Sequence, residues 1–339
     1  MLKTEILVVG GGSSGGVLAV LLSELGFKVA LVDARDPNLP FQPDSRAFAI
    51  VRGGWRVLEA AGVADALMAD AQPLLGMEAH DQNGVLPGAH SLFGVDDLPQ
   101  DRPGEPLGYM IEVDRLNIAI RDRVEACNDI IRFAPDTVTD LKVSGSGATV
   151  TLESGEEIIA DLVVGADGVG SAIRDLSGIR TIGWGYDQAV VAATIQLEQP
   201  HNGHARQWFQ DEGPFAVLPL TENRGNLAWF RKMDAGLATA KLENDALERE
   251  INARFGHLVG PMKVLRDPLA YPLRLRMATD LISERVALVG DAVRRVNPLA
   301  GQGFNLGLKD IAALTEVLVE TRRTGLALSD GAQLETYQR

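Results

Sequence analysis

Three glycine- and acid-bearing turns hold the residues best suited to chemistry, and each follows a short apolar run. The first is Gly10-Gly11-Gly12-Ser13-Ser14-Gly15, directly after Ile6-Leu7-Val8-Val9. It matches G-x-G-x-x-G through Gly10, Gly12 and Gly15, with Ser14 inside the turn, and the next apolar run (28–32) ends on Asp33. Glycines let a backbone approach a pyrophosphate, the helix amino end faces its charge, and the acid accepts from a ribose hydroxyl. The second turn is Gly165-Ala166-Asp167-Gly168, with Ser171 and Arg174 one helical turn later. It suits a carboxylate that binds sugar hydroxyls and a guanidinium near phosphates. The third is Gly290-Asp291, followed after a loop by Gly301-Gln302-Gly303 and Asn305 at the head of a helical pattern. Open α/β sheets bind ligands at strand ends and against helix amino termini. A bound dinucleotide is expected, with FAD and a nicotinamide dinucleotide both open at this point.

The elements that must position these turns are legible around them. Val17, Leu18, Leu21, Leu22 and Leu25 have helical spacing and stop at Gly26, a natural terminator. Residues 160–164 and 285–289 read as strands buried on both faces. Phe304, Leu308, Ile311, Leu314 and Leu318 give the last long helix its apolar stripe. Arg46, just before a helical stretch at 54–61, is a candidate for ribityl or phosphate oxygens. Arg115, opening a helical stretch at 112–124, is a candidate for the ligand's polar edge.

Residues 73–106 change character, with a strand-like run, an Asn83-Gly84 turn and a Pro- and Asp-rich loop. Residues 182–277 alternate with period two in several runs and hold one helical interruption at 243–255, which predicts an antiparallel sheet. Trp208, Phe209, Phe215, Leu218, Trp229 and Tyr271 are its candidates for an apolar pocket wall or for its core. The expected organisation is a discontinuous dinucleotide-binding domain (1–72, 108–180, 280–339) and a sheet domain for substrate (73–107, 181–279).

Composition narrows the function. A net charge of −14 argues against nucleic acid as the main partner and against a polybasic membrane anchor. The single Cys127 cannot close an internal disulfide, and no His or Cys spacing suits a metal. There is no G-x-S-x-G and no P-loop lysine. The longest apolar run, 17–22, falls far short of the roughly 20 residues a membrane span needs. Strand-like sequence from Ile6 leaves no room for a signal peptide, so a cytoplasmic location is expected.

In this order the three turns resemble the class A flavoprotein monooxygenases, the aromatic hydroxylase superfamily. Within it the chain is most similar to the ubiquinone-biosynthesis hydroxylases. Ser45-Arg46-Ala47, Gly213-Pro214-Phe215-Ala216-Val217-Leu218-Pro219-Leu220, Tyr271-Pro272-Leu273 and Pro298-Leu299-Ala300-Gly301-Gln302-Gly303-Phe304-Asn305-Leu306-Gly307 carry that finer likeness. The resemblance implies an α/β fold, with a Rossmann-like FAD domain of the glutathione-reductase type and a mostly antiparallel substrate sheet. It implies noncovalent FAD, NAD(P)H as co-substrate, and O2-dependent hydroxylation of a prenylated phenol. The alternatives are a hydroxylase of a small soluble aromatic and a catalytically weak flavin-binding member of a biosynthetic complex.

By that resemblance Gly10, Gly12, Ser14, Gly15 and Asp33 hold the adenosine half of FAD. Asp167 lies near the pyrophosphate and the path of the nicotinamide donor, while Gly290 and Asp291 serve the ribityl chain. Gly301, Gln302, Gly303 and Asn305 serve the pyrimidine edge, where a helix amino terminus favours the negative charge of reduced flavin. Pro298, Phe215, Leu218 and Tyr271 are the pocket candidates, and no acid–base residue or metal is assigned because the chemistry is centred on the flavin.

The chain also departs from the pattern. Val293-Arg294 replaces Ala-His, Asn297 replaces a second His, and Glu112-Val113-Asp114-Arg115 replaces Glu-Asn-Arg. Relatives continue past Tyr337-Gln338-Arg339, so a truncated carboxyl-terminal segment is expected, one linked to peripheral inner-membrane or partner association. Ring position, tail length, NADH versus NADPH, and oligomeric state stay open.

Overall fold

Ile6, Leu7 and Val8 have no exposed surface, because the strand that holds them lies in the middle of a sheet covered on both sides. The computed structural model describes residues 1–81, 90–97, 104–298 and 301–339. The Asn83-Gly84 turn, most of the Pro- and Asp-rich loop, and Leu299-Ala300 lie outside the described residues.

In chain order the first elements are β1 (Leu2–Val9), α1 (Ser13–Glu24), β2 (Val29–Val32), β3 (Ala47–Val51), α2 (Arg52–Ala60) and α3 (Ala64–Leu67). Then come β4 (Gln72–Leu74), β5 (Gly76–Asp81), β6 (His90–Gly94), β7 (Gly108–Glu112), α4 (Val113–Ala126) and β8 (Ile130–Phe133). The middle of the chain supplies β9 (Val138–Ser144), β10 (Gly147–Leu152), β11 (Glu157–Gly165), α5 (Ala172–Leu176) and the long β12 (Thr181–Leu197). Next are β13 (His204–Phe209), β14 (Phe215–Leu220), β15 (Arg224–Lys232), α6 (Met233–Thr239) and α7 (Asn244–Val259). The chain closes with β16 (Met262–Val264), β17 (Leu269–Ala278), β18 (Ile282–Ser283), β19 (Val286–Leu288), β20 (Arg294–Arg295), α8 (Gln302–Arg323) and α9 (Gly331–Gln338).

The first sheet runs β18-β19-β11-β1-β2-β8, and its central pairings are parallel. Val9 pairs with Val32 and with Gly165, and Gly165 with Leu288, so the strands end level. That register brings the turns after β1, β11 and β19 to one sheet edge, although about 280 residues separate the first from the last. On one side of the sheet, Ile6 and Val8 pack with the apolar faces of α1, α4 and α8. On the other, Leu7 and Val9 pack with β10 and Ile173 of α5.

The second sheet runs β20-β17-β12-β15-β14-β13-β5-β6. It is mixed: most pairings are antiparallel, but β13 and β5 run parallel. One face is closed by α7, whose Leu247, Ile251 and Phe255 pack with Val191, Trp208, Val217 and Trp229. Phe215 belongs to this closed face: it is fully buried, and its ring stacks on Phe255 at 3.5 Å between centroids. The expectation that Phe215 walls the substrate pocket is therefore corrected. Strict alternation along β14 sends Ala216 and Leu218 to the open face instead. Among the described residues no helix is long and apolar enough to cross a membrane.

Candidate cofactor and substrate cavity

The glycines of the first turn divide into two kinds. A Cβ on Gly10 would sit 2.5 Å from the Ala166 carbonyl oxygen, and one on Gly15 would sit 1.8 Å from the Gly10 carbonyl oxygen. Gly10 also holds φ +102°, so two tight approaches demand glycine here. At Gly12 a Cβ would meet nothing within 4 Å, and its backbone borders the cavity. No side chain caps α1 at that point, which leaves its first N–H groups free for an anion. Asp33 stands against Gly11, where a Cβ would approach its Oδ2 to 2.5 Å, and its Oδ1 accepts from the Arg35 N–H at 3.0 Å.

In the second turn Asp167 Oδ2 accepts from the Ile173 N–H at 3.2 Å, while Oδ1 is buried with no partner among the described residues. Leaving a buried acceptor unpaired costs about 1–3 kcal/mol, which a ligand hydroxyl or water would recover. Arg174 is fully buried and donates to the carbonyls of Val169 (3.1 Å) and Ala292 (3.2 Å), so it joins the second turn to the third.

Gly290 has φ +62°, and a Cβ there would come within 2.6 Å of Ser14 Oγ. The first and third turns are thus in contact. Asp291 stays reachable from the cavity, yet the walls strip enough water to push its carboxyl up, against the charges of Arg295 and Arg46. Gly301, at φ +63°, caps α8 without a side-chain hydrogen bond, and a Cβ on Gly303 would meet nothing within 4 Å. Gln302 opens α8 between them, half-buried. Asn305 does something else. Its Oδ1 accepts from the Val51 N–H at 3.0 Å and its Nδ2 donates to the Ala49 carbonyl at 2.6 Å, so it clips β3 to α8. The expected cofactor contact at Asn305 is corrected to this buried clamp.

Arg46 lines the cavity, pairs with Asp44 at 2.5 Å and lies over the Tyr271 ring at 4.8 Å. The backbone carbonyl of neighbouring Ser45 accepts from Asn226 Nδ2 at 2.5 Å, which straps this segment to the second sheet. Tyr271 Oη donates to Asp44 at 3.0 Å. Burial first, and then the Asp44 carboxylate, push the phenol up to about 12, whereas Arg46 holds Asp44 below its ordinary range despite burial. Arg115 does not reach the cavity. It is largely exposed and sits 3.5 Å from Asp70, while Asn117 lines the cavity and accepts from Ser13 Oγ at 2.8 Å. Asn117 lies one helical turn after buried Val113, the signal that could have found it.

The cavity is about 620 Å³ and runs from Gly12 and Ser13, past Gly303 and Pro298, to the open face of the second sheet. Its floor there is small: Ala216 faces Ala228, and Ala228 faces Ala192. Larger residues rise on either side, Leu218 beside Asn226 and Phe230 beside Val190 and Tyr271. Pro298, Leu218 and Tyr271 all line this cavity. Among the described residues no His or Cys lines this space, and no group of acids, His and Cys could hold a metal. The orphaned Asp167 oxygen, the open Gly12 and Gly303, and the uncapped helix ends fit an FAD laid along the sheet edge.

Comparison with known proteins agrees with this geometry. A family model described as an FAD binding domain matches residues 3–339. The chain is 36% identical over 336 residues to the ubiquinone hydroxylase UbiL of Rhodospirillum rubrum, covering 98% of this chain and 76% of that protein. It is 35% identical over 343 residues to the 3-demethoxyubiquinol 3-hydroxylase of Escherichia coli, covering 99% of this chain and 84% of that protein. Among solved structures, PqsL of P. aeruginosa, in complex with 2-aminobenzoylacetate, superposes with a TM-score of 0.82 at 21% identity, covering 99% of this chain and 91% of that one. That likeness speaks to the fold alone. With the turns, the cavity and these matches together, the chain belongs to the FAD-binding-domain family and, within it, to the FAD-dependent monooxygenases.

Proposed function

We propose that the protein hydroxylates the aromatic ring of a prenylated phenol in ubiquinone biosynthesis, using NAD(P)H and O2. The observation that carries this reading is one continuous cavity, joining the glycine end of α8 to a floor of alanines on the second sheet. Bound FAD supplies electron transfer from the nicotinamide donor and the activation of oxygen. The chain's own part is to bind, orient and exclude water.

Gly10, Gly12, Gly15 and Asp33 hold the adenosine half, the orphaned Asp167 oxygen accepts from a sugar hydroxyl, and Asp291 faces the ribityl chain. The amino end of α8, through Gly301, Gln302 and Gly303, stabilises negative charge on the reduced ring by about 0.3–1 kcal/mol or more. Tyr271 donates its proton to Asp44, so the oxygen keeps lone pairs to accept from a substrate phenol. The alanine floor gives an apolar ring and the start of its tail a flat bed. A prenylated substrate resides in lipid, and the reading therefore places the protein at the periphery of the inner membrane, beside other biosynthetic proteins. We assign the FAD role to residues 1–72, 108–180 and 280–339 and the substrate role to 73–107 and 181–279.

The test is the visible spectrum of the purified protein, then NADPH oxidation with product analysis on a prenylphenol and on a hydroxybenzoate. A flavin spectrum and an oxygenated prenylphenol are expected. Turnover of the hydroxybenzoate alone would replace the prenylated substrate by a small soluble one. A colourless protein that stays colourless with added FAD would defeat the reading.

A further inference from the structure

The cavity floor is a row of side chains running from strand to strand. Ala192 of β12 faces Ala228 of β15, and Ala228 faces Ala216 of β14. Ala216 in turn faces Gln207 of β13, and Gln207 faces Ala79 of β5. A single amide thus interrupts a row of alanines. Alternation fixes the side on which it stands. Trp208, the next residue of β13, packs in the core closed by α7, and Arg206, the one before, pairs with Glu78 at 3.3 Å. Gln207 takes the opposite face and lines the cavity, half-buried.

Two other polar side chains that this sheet turns to the cavity are already spent. Asn226 donates to the carbonyls of Ser45 (2.5 Å) and Ala193 (3.5 Å), and Tyr271 donates to Asp44 (3.0 Å). Gln207 makes no hydrogen bond among the described residues. Its amide offers two N–H donors and a carbonyl acceptor, which water satisfies in an open cavity. A ring laid on Ala216 and Ala228 lies one strand spacing, about 4.8 Å, from Gln207 and displaces that water. A bare hydrocarbon edge would then leave the amide desolvated and unpaired, whereas an edge that carries an oxygen would pair with it.

We propose that Gln207 determines which ring the enzyme accepts, its amide N–H donating to a hydroxyl or ether oxygen on the ring edge turned toward β13. The inference deepens the hydroxylase reading above and rests on it for the presence of a ring. Strand β13 and the β17 strand of Tyr271 flank the floor, with β14, β15 and β12 between them. One edge of the ring therefore faces the amide while the opposite edge faces the phenol of Tyr271. Gripped from both sides, the ring cannot turn in its plane, and one carbon is held toward Pro298 and Gly303. The preferred substrate is a phenol with a second ring oxygen, and a phenol lacking that oxygen is discriminated against.

The test uses the full chain with FAD and the variant Gln207→Leu, which keeps the side-chain volume and removes the amide. The probes are two pairs, 2-methoxy-6-prenylphenol against 2-prenylphenol, and the tail-free 2-methoxyphenol against phenol. Binding is followed by the change in the flavin spectrum, and KM and kcat are measured for each compound. The wild type is expected to bind the methoxy member of each pair about tenfold more tightly, equivalent to about 1.4 kcal/mol. Gln207→Leu should abolish that preference while leaving the other member within about twofold of wild type. A wild type that shows no preference would overturn the proposal. So would a variant that weakens both members of a pair equally, since Gln207 would then only shape the floor. If Gln207→Leu sheds flavin, Gln207→Met is used and judged by the same two criteria. Failure of both prenylated probes to turn over defeats the prenylated reading, and the tail-free pair still decides Gln207. A wild type without flavin defeats the hydroxylase reading, and equilibrium dialysis of the tail-free pair decides the amide's role.

Discussion

Arg294 Nη1 lies 2.9 Å from both carboxylate oxygens of Asp310, and Asp310 in turn accepts the Gly290 N–H at 3.0 Å. Arg294 therefore holds the third turn to α8 from behind. Burial pushes the Asp310 carboxyl up, and Arg294 opposes that rise. Replacing Arg294 by Met should cost about 2–4 kcal/mol, because removing one partner strands a buried charge. It should also weaken FAD binding, by loosening the turn that presents Asp291. Urea unfolding and an FAD titration measure the two effects, and a variant as stable and as flavin-rich as the wild type would refute the role given to the pair. Arg294→His should restore part of both.

Asp291 makes no side-chain hydrogen bond within the described protein, so Asp291→Ala should leave the fold within about 0.5 kcal/mol of wild type. The flavin-to-protein absorbance ratio after gel filtration should fall sharply. Full flavin occupancy in that variant would remove Asp291 from the ribityl contact.

Tyr271 sets a pH dependence. Its phenol is raised to about 12 from an ordinary value near 10, chiefly by burial. The unfolded chain releases this proton first, so its contribution is whole below pH 10 and is lost as pH rises toward 12. The loss should approach about 2 kcal/mol, and Tyr271→Phe should lack that part of the alkaline decline. Denaturant midpoints measured from pH 9 to 12 check it. At neutral pH the same variant should raise the KM for a phenol several-fold.

Ala228 sits in the middle of the cavity floor, between Ala216 and Ala192. Ala228→Leu puts three extra carbons into open space, so stability should change by less than about 1 kcal/mol. The KM for a prenylphenol should rise about tenfold or more, with FAD retained. Equal kinetics for wild type and variant would place the substrate elsewhere.

Phe215→Ala is the opposite case. The residue is fully buried against Phe255 and Trp229, and its loss should cost about 3–5 kcal/mol. A thermal melt should drop markedly while the flavin spectrum of the remaining folded protein is unchanged. A small loss of stability with a large change in substrate affinity would return Phe215 to the pocket.

What is legible in the sequence follows from how many constraints act on a residue at once. Gly10 and Gly15 are readable because backbone lies where their side chains would be. The stripe of α8 is readable because Phe304, Leu308, Ile311, Leu314 and Leu318 all face one core. Alternation along β14 separates Phe215 from Leu218 but does not say which face meets α7; that depends on a helix about 30 residues further on. Asn305 carries the same motif whether it touches a ligand or a neighbouring strand, and only the path of β3 decides. Arg294 finds its partner 16 residues later, across a loop whose course no local pattern prescribes.

The level ends of β1, β11 and β19 carry a consequence for how the protein is made. Synthesis delivers the first two ligand turns early, but the third arrives only after β19 adds to the edge of β11. A nascent chain that has not yet passed residue 288 holds an adenosine cradle with no ribityl acid and no helix end for the ring. Long-range parallel pairing is slow because the loop must close before any contact rewards it. The cofactor can therefore be gripped along its whole length only by a chain whose sheet is finished. Flavin uptake would then mark the end of folding, and pulse-labelled protein should acquire it after the sheet has become resistant to protease.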